Sequence, residues 1–237
     1  MNAQSVVPID VGVAKNHQAT KWFDIVAMAF IMVLLISNIA AQKLIRLGPF
    51  TFTGGIVLFP VSYVIGDVLT EVYGYARSRR VIWAGLFANI FMAAMVWIVV
   101  QLPPADNWHL QREFSTIFGL IPRIVIASVV GYFVGELANA YILAKLKLYT
   151  EGRWLFVRTL TSSLVGEGID TGIFVVLAFG GVFPKSLLIA TAFSGWFFKL
   201  AYEIVATPLT YLVVGLLKRQ EGFDTFDRTT DFSPFRF

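Results

Sequence analysis

Six acidic residues stand inside stretches that are otherwise almost wholly apolar: Asp67, Glu71, Glu136, Glu167, Asp170 and Glu203, with Lys199 as the one base among them. Their spacing is helical. Asp67 and Glu71 are four apart, Glu136 and Asn139 three, Glu167 and Asp170 three, Lys199 and Glu203 four, so each pair shares one face of a helix. Counting inward from the nearest basic residue of a flanking loop, Asp67, Glu136, Glu167, Asp170 and Glu203 lie 9 to 15 residues deep, or about 14–22 Å along a helix. Asn89 falls at the same level, and Glu71 is expected nearer the interface. Charged groups at such depth are costly in hydrocarbon, which excludes a lipid-facing position and requires that they line the bundle interior or a water-filled cavity. Single Ser, Thr or Asn residues at this depth are ordinary helix-to-helix glue. A layer of five carboxylates is more than glue, and its chemistry would attract protons, cations or a ligand rich in hydrogen-bond donors. Trp196, one turn before Lys199, could stack on a planar ligand.

Most catalytic readings are excluded by composition. The chain has no cysteine, and its two histidines, His17 and His109, fall in the N-terminal tail and in a loop, so no metal site, cofactor or Ser–His chemistry is expected. Ser194-Gly195 reads as helix packing. The best enzymatic alternative is an intramembrane aspartyl hydrolase with Asp67 and Asp170 sharing a proton. No phosphate-binding loop occurs, so any ATP would be handled by a partner.

The elements that position these residues are legible as apolar runs. With 57% hydrophobic and 14% charged residues, the chain departs from the roughly 45–50% apolar and 25% charged of soluble domains. The runs cover about 22–41, 53–73, 81–101, 124–144, 160–179 and 187–217, the first five near the roughly 20 residues a membrane helix needs and the last long enough to tilt or to be broken at Pro208. Lys and Arg number 13 in the N-terminal tail, the second and fourth loops and the C-terminus, against 5 in the alternate segments. That asymmetry predicts both termini on the cytoplasmic side, which requires an even number of spans. The expected fold is therefore an all-α integral membrane protein, a six-transmembrane-helix bundle at 22–219, with an N-terminal tail at 1–21 and a polar C-terminal tail at 220–237. Tyr73 and Tyr75 read as an interfacial belt. Gly54-Gly55, Pro60 and Pro208 predict breaks where backbone could line a cavity. An acid-bearing middle helix in each half suggests a 3+3 inverted repeat.

The residues now assembled resemble the queuosine precursor transporter family, also described as a vitamin uptake family. The resemblance rests on Ser37-Asn38, on the stretch from Phe59-Pro60 through Gly66-Asp67 to Glu71 and Gly74 with its basic turn to Arg80, on Gly135-Glu136 with Asn139, on Thr161-Ser162-Ser163 running to Asp170-Thr171, and on Phe198-Lys199 with Pro208. The segment around Asp67 is its specific part; Glu136 departs from the family pattern, which often has Gln there. The resemblance implies import of deazaguanine bases such as 7-cyano-7-deazaguanine (preQ0), its aminomethyl counterpart (preQ1) or queuine, for tRNA modification, across a bacterial inner membrane. A buried carboxylate suits the adjacent N–H donors of a guanine-like edge. The candidate substrate-binding residues are Asn38, Asp67, Asn89, Glu136, Asn139, Glu167, Asp170, Trp196, Lys199 and Glu203. Of these, Asp67 and one of Glu167 or Asp170 are expected to accept the base, Lys199 to balance their charge, and Glu203 to pair with Lys199 or carry a proton. The expected partners are the small-molecule base and the lipid bilayer, with coupling to protons or cations and a homo-oligomer left open and no nucleic acid. A vitamin-binding subunit that needs an ATPase partner is the alternative transporter reading.

Overall fold

The computed structural model describes residues 20–41, 43–47, 50–118, 122–181 and 184–235. Helix α1 (Phe23–Ala40) leads into a hairpin of β1 (Leu44–Leu47) and β2 (Phe50–Thr53), then a 3-10 turn (Gly54–Val57) and α2 (Phe59–Tyr73). Helices α3 (Tyr75–Gln101), α4 (Gln111–Phe118), α5 (Pro122–Tyr149), α6 (Leu155–Phe179) and α7 (Lys185–Glu221) follow. Five of these, α1, α3, α5, α6 and α7, contain stretches long and apolar enough to cross a membrane. Their outer surfaces carry exposed Met28, Met32, Phe87, Phe91, Phe193 and Phe197, while the interior holds the acids. That inside-out distribution suits lipid as the outer solvent. The expected tail at 1–21 falls outside the described residues except for its last two.

The second apolar run differs from its expected form. Thr53 to Leu58 is not helical; α2 starts at Phe59, and its 15 residues span only about 22 Å. The cause is the Gly54-Gly55 pair with Pro60 behind it. A Cβ at Gly55 would sit 2.9 Å from the Ser37 carbonyl and 3.1 Å from Phe59, so the turn packs onto the last turn of α1, and Pro60 stands in the first turn of α2, where its missing N–H costs nothing. The hairpin and the short α4 were not anticipated. Pro208, by contrast, does not end α7, which continues through it.

α2 is the pillar of the bundle. Twelve of its fifteen residues are buried, and it touches α1, α3, α5 and α7. Gly74 ends it at φ 83°, a conformation that costs glycine little, and its N–H still reaches the Thr70 carbonyl at 3.0 Å. The most extensive helix pair is α5 with α6. There a Cβ at Gly135 would lie 2.6 Å from the Gly166 carbonyl, and one at Gly166 would lie 2.7 Å from Asn139 Cβ. Small residues thus let two backbones approach closely, as membrane helices do.

The start of α1 and the end of α7 meet at one end of the bundle. The backbone N–H groups of Lys21 and Trp22 donate to Glu221 at 3.0 and 2.8 Å, and Tyr73 Oη donates to the same carboxylate at 2.9 Å. Past α7 the chain folds back as a strap. Asp227 accepts the Tyr75 N–H at 2.9 Å, Arg79 donates to the carbonyls of Asp231 and Ser233, and Trp83 Nε1 donates to the Pro234 carbonyl at 2.8 Å. Phe232 packs on Tyr75, and Lys145 Nζ lies 3.9 Å above the Phe232 ring. Tyr73 and Tyr75, expected at an interface, are instead buried beneath this strap.

Under the strap lies the first acid. Glu71 is buried rather than interfacial, receiving Arg158 through Nη1 and Nη2 and Lys218 at 2.6 Å, with Lys147 at 3.5 Å. Lys199 is therefore not the one buried base: Lys147 and Arg158, expected in a loop, are 2% and 1% exposed. Lys147 and Lys218 also hold Asp224 of the strap. Partial burial pushes the Asp224 carboxyl up, but the hydrogen bonds and charges of the two lysines outweigh it and hold its pKa below the ordinary 3.8. A depressed folded-state pKa means that this link is fully present above the ordinary Asp range and is lost as pH falls through the folded value. Asp224→Asn should therefore loosen the strap at neutral pH, and acid should do the same to the wild type. Limited trypsin digestion of detergent-solubilised protein, read as cleavage at Arg228, should be severalfold faster for the variant; equal rates would count against the strap being held this way.

Candidate functional site

The remaining five acids gather in one buried group contributed by α2, α5, α6 and α7. Asp67, Glu136 and Glu167 are each 1% exposed, Glu203 4% and Asp170 5%, so the group is sealed from solvent in this conformation. On α5, α6 and α7 the polar members share one face at three- or four-residue spacing, as the sequence predicts, whereas α2 brings Asp67 here and carries Glu71 to the separate three-cation centre.

Two of the acids are supplied with donors. Asp170 accepts Lys199 Nζ at 2.6 Å and Tyr63 Oη at 3.1 Å, and Lys199 also donates to Thr171 Oγ1 at 3.2 Å. The ammonium lies 5.9 and 5.8 Å from the ring centroids of Phe59 and Tyr63, within cation–π range. Lys199 thus pairs with Asp170 across the α6–α7 contact and not with Glu203 on its own helix. Asp67 accepts Asn139 Nδ2 at 2.8 Å, and Ser163 Oγ in turn donates to Asn139 Oδ1 at 3.4 Å.

The other three are not supplied. Among the described residues, no donor reaches Glu136 Oε1 or either carboxylate oxygen of Glu167 and Glu203, and Tyr132 Oη is also without a partner. Glu136 reaches α2 with its Oε1 in the notch left by Gly66, where a Cβ would displace the carboxylate. Glu203 faces the Asp67 carboxyl and the Ser163 hydroxyl. The group as a whole is rich in acceptors, poor in donors and flanked by the rings of Tyr63 and Tyr132. Chemically such a group can accept protons, a cation or N–H donors.

Not every candidate joins it. Asn38 Nδ2 donates to Asn89 Oδ1 at 2.8 Å and to the Leu34 carbonyl at 3.0 Å, while Ser128 Oγ donates to Asn38 Oδ1 at 3.2 Å. That amide network ties α1, α3 and α5 together in the manner of helix glue. Trp196 Nε1 donates to the Leu164 carbonyl at 2.9 Å and its ring packs beside Phe193 and Gly168, which fixes α7 on α6. Tyr63 and Tyr132 were not among the candidates. Their signal was present, since each stands four residues before an acid, Asp67 and Glu136, and so on the same helical face.

A family model described as "Putative vitamin uptake transporter" matches residues 53–213, which span all the acids of the site. The chain belongs to this family. Two relatives within reach are each named "Probable queuosine precursor transporter". One, from Bacillus subtilis (strain 168), is 26% identical over 186 residues, covering 78% of this chain and 81% of the relative. The other, from Haemophilus influenzae (strain ATCC 51907 / DSM 11121 / KW20 / Rd), is 27% identical over 169 residues, 70% and 69% of the two chains. No solved structure matches. The family is one of transporters and not of enzymes, which removes the aspartyl hydrolase alternative.

The Lys199–Asp170 pair gives a stability test. Removing one partner of a buried ion pair leaves an uncompensated charge at a cost of about 3–5 kcal/mol, whereas removing both is close to neutral. Lys199→Met should lower the thermal unfolding midpoint of the solubilised protein markedly, and adding Asp170→Asn should recover most of the loss. A double variant no better than the single would show that the lysine acts through something other than this pair.

Proposed function

We propose that this chain imports queuosine precursors, deazaguanine bases such as preQ0, preQ1 or queuine, across a bacterial inner membrane. The observation that carries the reading is the set of buried carboxylate oxygens on Glu136 and Glu167 that have no donor. A guanine-like edge supplies adjacent N–H groups, and a carboxylate that accepts two of them gains geometry as well as energy. In this reading Glu167 and Glu136 accept the base. The sequence had favoured Asp67 with Glu167 or Asp170, but Asp170 is engaged by Lys199 and Tyr63, and Asp67 by Asn139. Tyr63 and Tyr132 then serve as aromatic walls, while Asn38, Asn89 and Trp196 position helices.

The reading extends to topology. The meeting of Lys21 and Trp22 with Glu221 supports an even number of crossings, with the short α2 counted as the sixth, and the excess of basic residues at that end supports a cytoplasmic placement. α1–α3 and α5–α7 would be the two halves of an inverted plan, with α2 and α6 as their acid-bearing middle helices.

The test is uptake by cells that cannot make their own precursor, read as queuosine in tRNA. The wild-type gene should restore queuosine from supplied preQ0 or preQ1. Glu167→Gln should abolish most of that import at unchanged membrane abundance, because the amide presents a donor where an acceptor is needed. Queuosine that stays absent with the wild-type protein overturns the substrate assignment; wild-type import by Glu167→Gln overturns the role of that carboxylate. Uptake by proteoliposomes holding this chain alone would exclude the need for an ATPase partner.

A further inference from the structure

The two acidic centres on α2 differ in how their charge is balanced. Glu71 meets three cations, Arg158, Lys147 and Lys218. One turn away, five carboxyls face one base, and that base is bonded to Asp170. Among the described residues Asp67, Glu136, Glu167 and Glu203 have no ion-pair partner, Lys199 acting on Glu167 only from a distance, and Asn139 is bonded to Asp67 while Glu136 Oε1 and both oxygens of Glu167 and Glu203 have no bonded donor. Four carboxylates so buried and so poorly solvated do not all remain ionised together; part of their charge is taken up by a proton or another cation. Among the described residues no group of three acids or histidines is placed to hold a metal ion, whereas a proton shared by two carboxyls needs no such cage.

The geometry says where such a proton sits. The Ser163 hydroxyl lies beside Glu203 without forming a full hydrogen bond to either oxygen, and the Glu203 carboxyl faces that of Asp67 across the α2–α7 contact. Two carboxyls in that relation attract one another only when a proton lies between them, as in dyads that hold one proton for two acids. The groups around the pair are Glu136 on α5 and Glu167 on α6, with Asn139 and Ser163 as its polar neighbours. Pro208, five residues after Glu203, removes the N–H that would bond the Ile204 carbonyl, which loosens the turn of α7 that carries this acid.

We propose that Asp67 and Glu203 form a proton-carrying pair and that the chain is a proton-coupled carrier. One proton enters from the outer side to bridge the two carboxyls, the base docks on Glu167 and Glu136, the bundle seals, and proton and base leave together to the cytoplasm. Sealing enforces the coupling, because closure around an ionised pair with no cation is strongly disfavoured. The proton site stands on this structure alone; its use to drive import rests on the reading of the chain as a deazaguanine carrier.

Two measurements on the full-length protein keep these apart. Infrared spectra in D2O at neutral pH should show the C=O stretch of protonated carboxylic acid, diminished in Asp67→Asn and in Glu203→Gln. Its absence from the wild type, or its persistence unchanged in both variants, overturns the proton site whatever is transported. In proteoliposomes with labelled preQ0 and an internal pH dye, an inward proton gradient should drive accumulation of about tenfold per pH unit for one proton per base. Substrate addition should acidify the lumen, and a protonophore should abolish both effects. Glu203→Gln should equilibrate the base without accumulating it, and Glu203→Asp, which keeps the carboxyl, should retain coupling and thereby control for folding. Uptake indifferent to the proton gradient, or dependent on sodium instead, overturns the coupling. Failure to take up any deazaguanine overturns the substrate reading and leaves the infrared band to decide the proton site.

Discussion

A carboxylate withdrawn from water must find its charge elsewhere, and the architecture of this chain follows from meeting that demand fully in one place and incompletely in another. Asp67 and Glu71 sit one turn apart on the same helix. Glu71 is surrounded by Arg158, Lys147 and Lys218, and the guanidinium is further satisfied by the carbonyls of Arg153 and Gly152 at 2.9 and 3.1 Å. That centre needs nothing more and can serve as a fixed point. Asp67 belongs to a group whose oxygens outnumber the donors, and such a group is complete only when something else arrives.

Fixed and incomplete centres are kept apart by how the helices pack. The glycine contacts at Gly135 and Gly166 bring α5 and α6 close enough that Asn139 and Asp170 are pressed into the interface, and the notch at Gly66 admits Glu136 to the surface of α2. The contacts at Gly135 and Gly166 are backbone-scale tolerances, so the relative positions of α5 and α6 are determined tightly. At the other end the strap closes over Tyr75, Arg79 and Lys147 with contacts from Asp224 to Phe235. It adds a second layer between the acids and the solution on that side.

Much of this was legible in the sequence because the cost of burying charge in lipid is large and local. Acids inside apolar runs had to face inward, and all six do; helical spacing placed each pair on one face, and Tyr63 and Tyr132 could have been found by the same rule. What the sequence hid depends on where distant segments fold to. Lys147 and Arg158 look like ordinary loop charges until the strap and the turn after α5 bury them against Glu71. Tyr73 and Tyr75 look interfacial until residues 222–235 cover them. Asn38 and Asn89 lie at the right depth for a site yet bond to each other, since depth fixes a level in the bundle but not a direction around it. The truncation of the second span was half visible, in Gly54-Gly55 and Pro60, while the hairpin before it carries no periodic signal strong enough to separate it from an apolar helix.

The same contrast bears on α7, which carries part of the site. It is 37 residues long, about 55 Å, and within its apolar stretch 22% of residues are buried against the rest of the chain, as in α3 and close to the 17% of α1, compared with 50% in α5 and 44% in α6. Its lower end is held by Lys218 on Glu71 and Asp224 and by Glu221 on the start of α1. Its upper half meets the bundle through Trp196 on α6 and Lys199 on Asp170, and Pro208 interrupts the hydrogen-bond ladder between the two regions. A helix anchored at one end, weakened at a proline and attached at the other end through the site itself is the element whose position the charge state of that site can bias. Lys199 and Glu203 both ride on it, so the ion pair and the proton-sharing pair report to the same segment, and the acids of α2, α5 and α6 form the wall against which it closes.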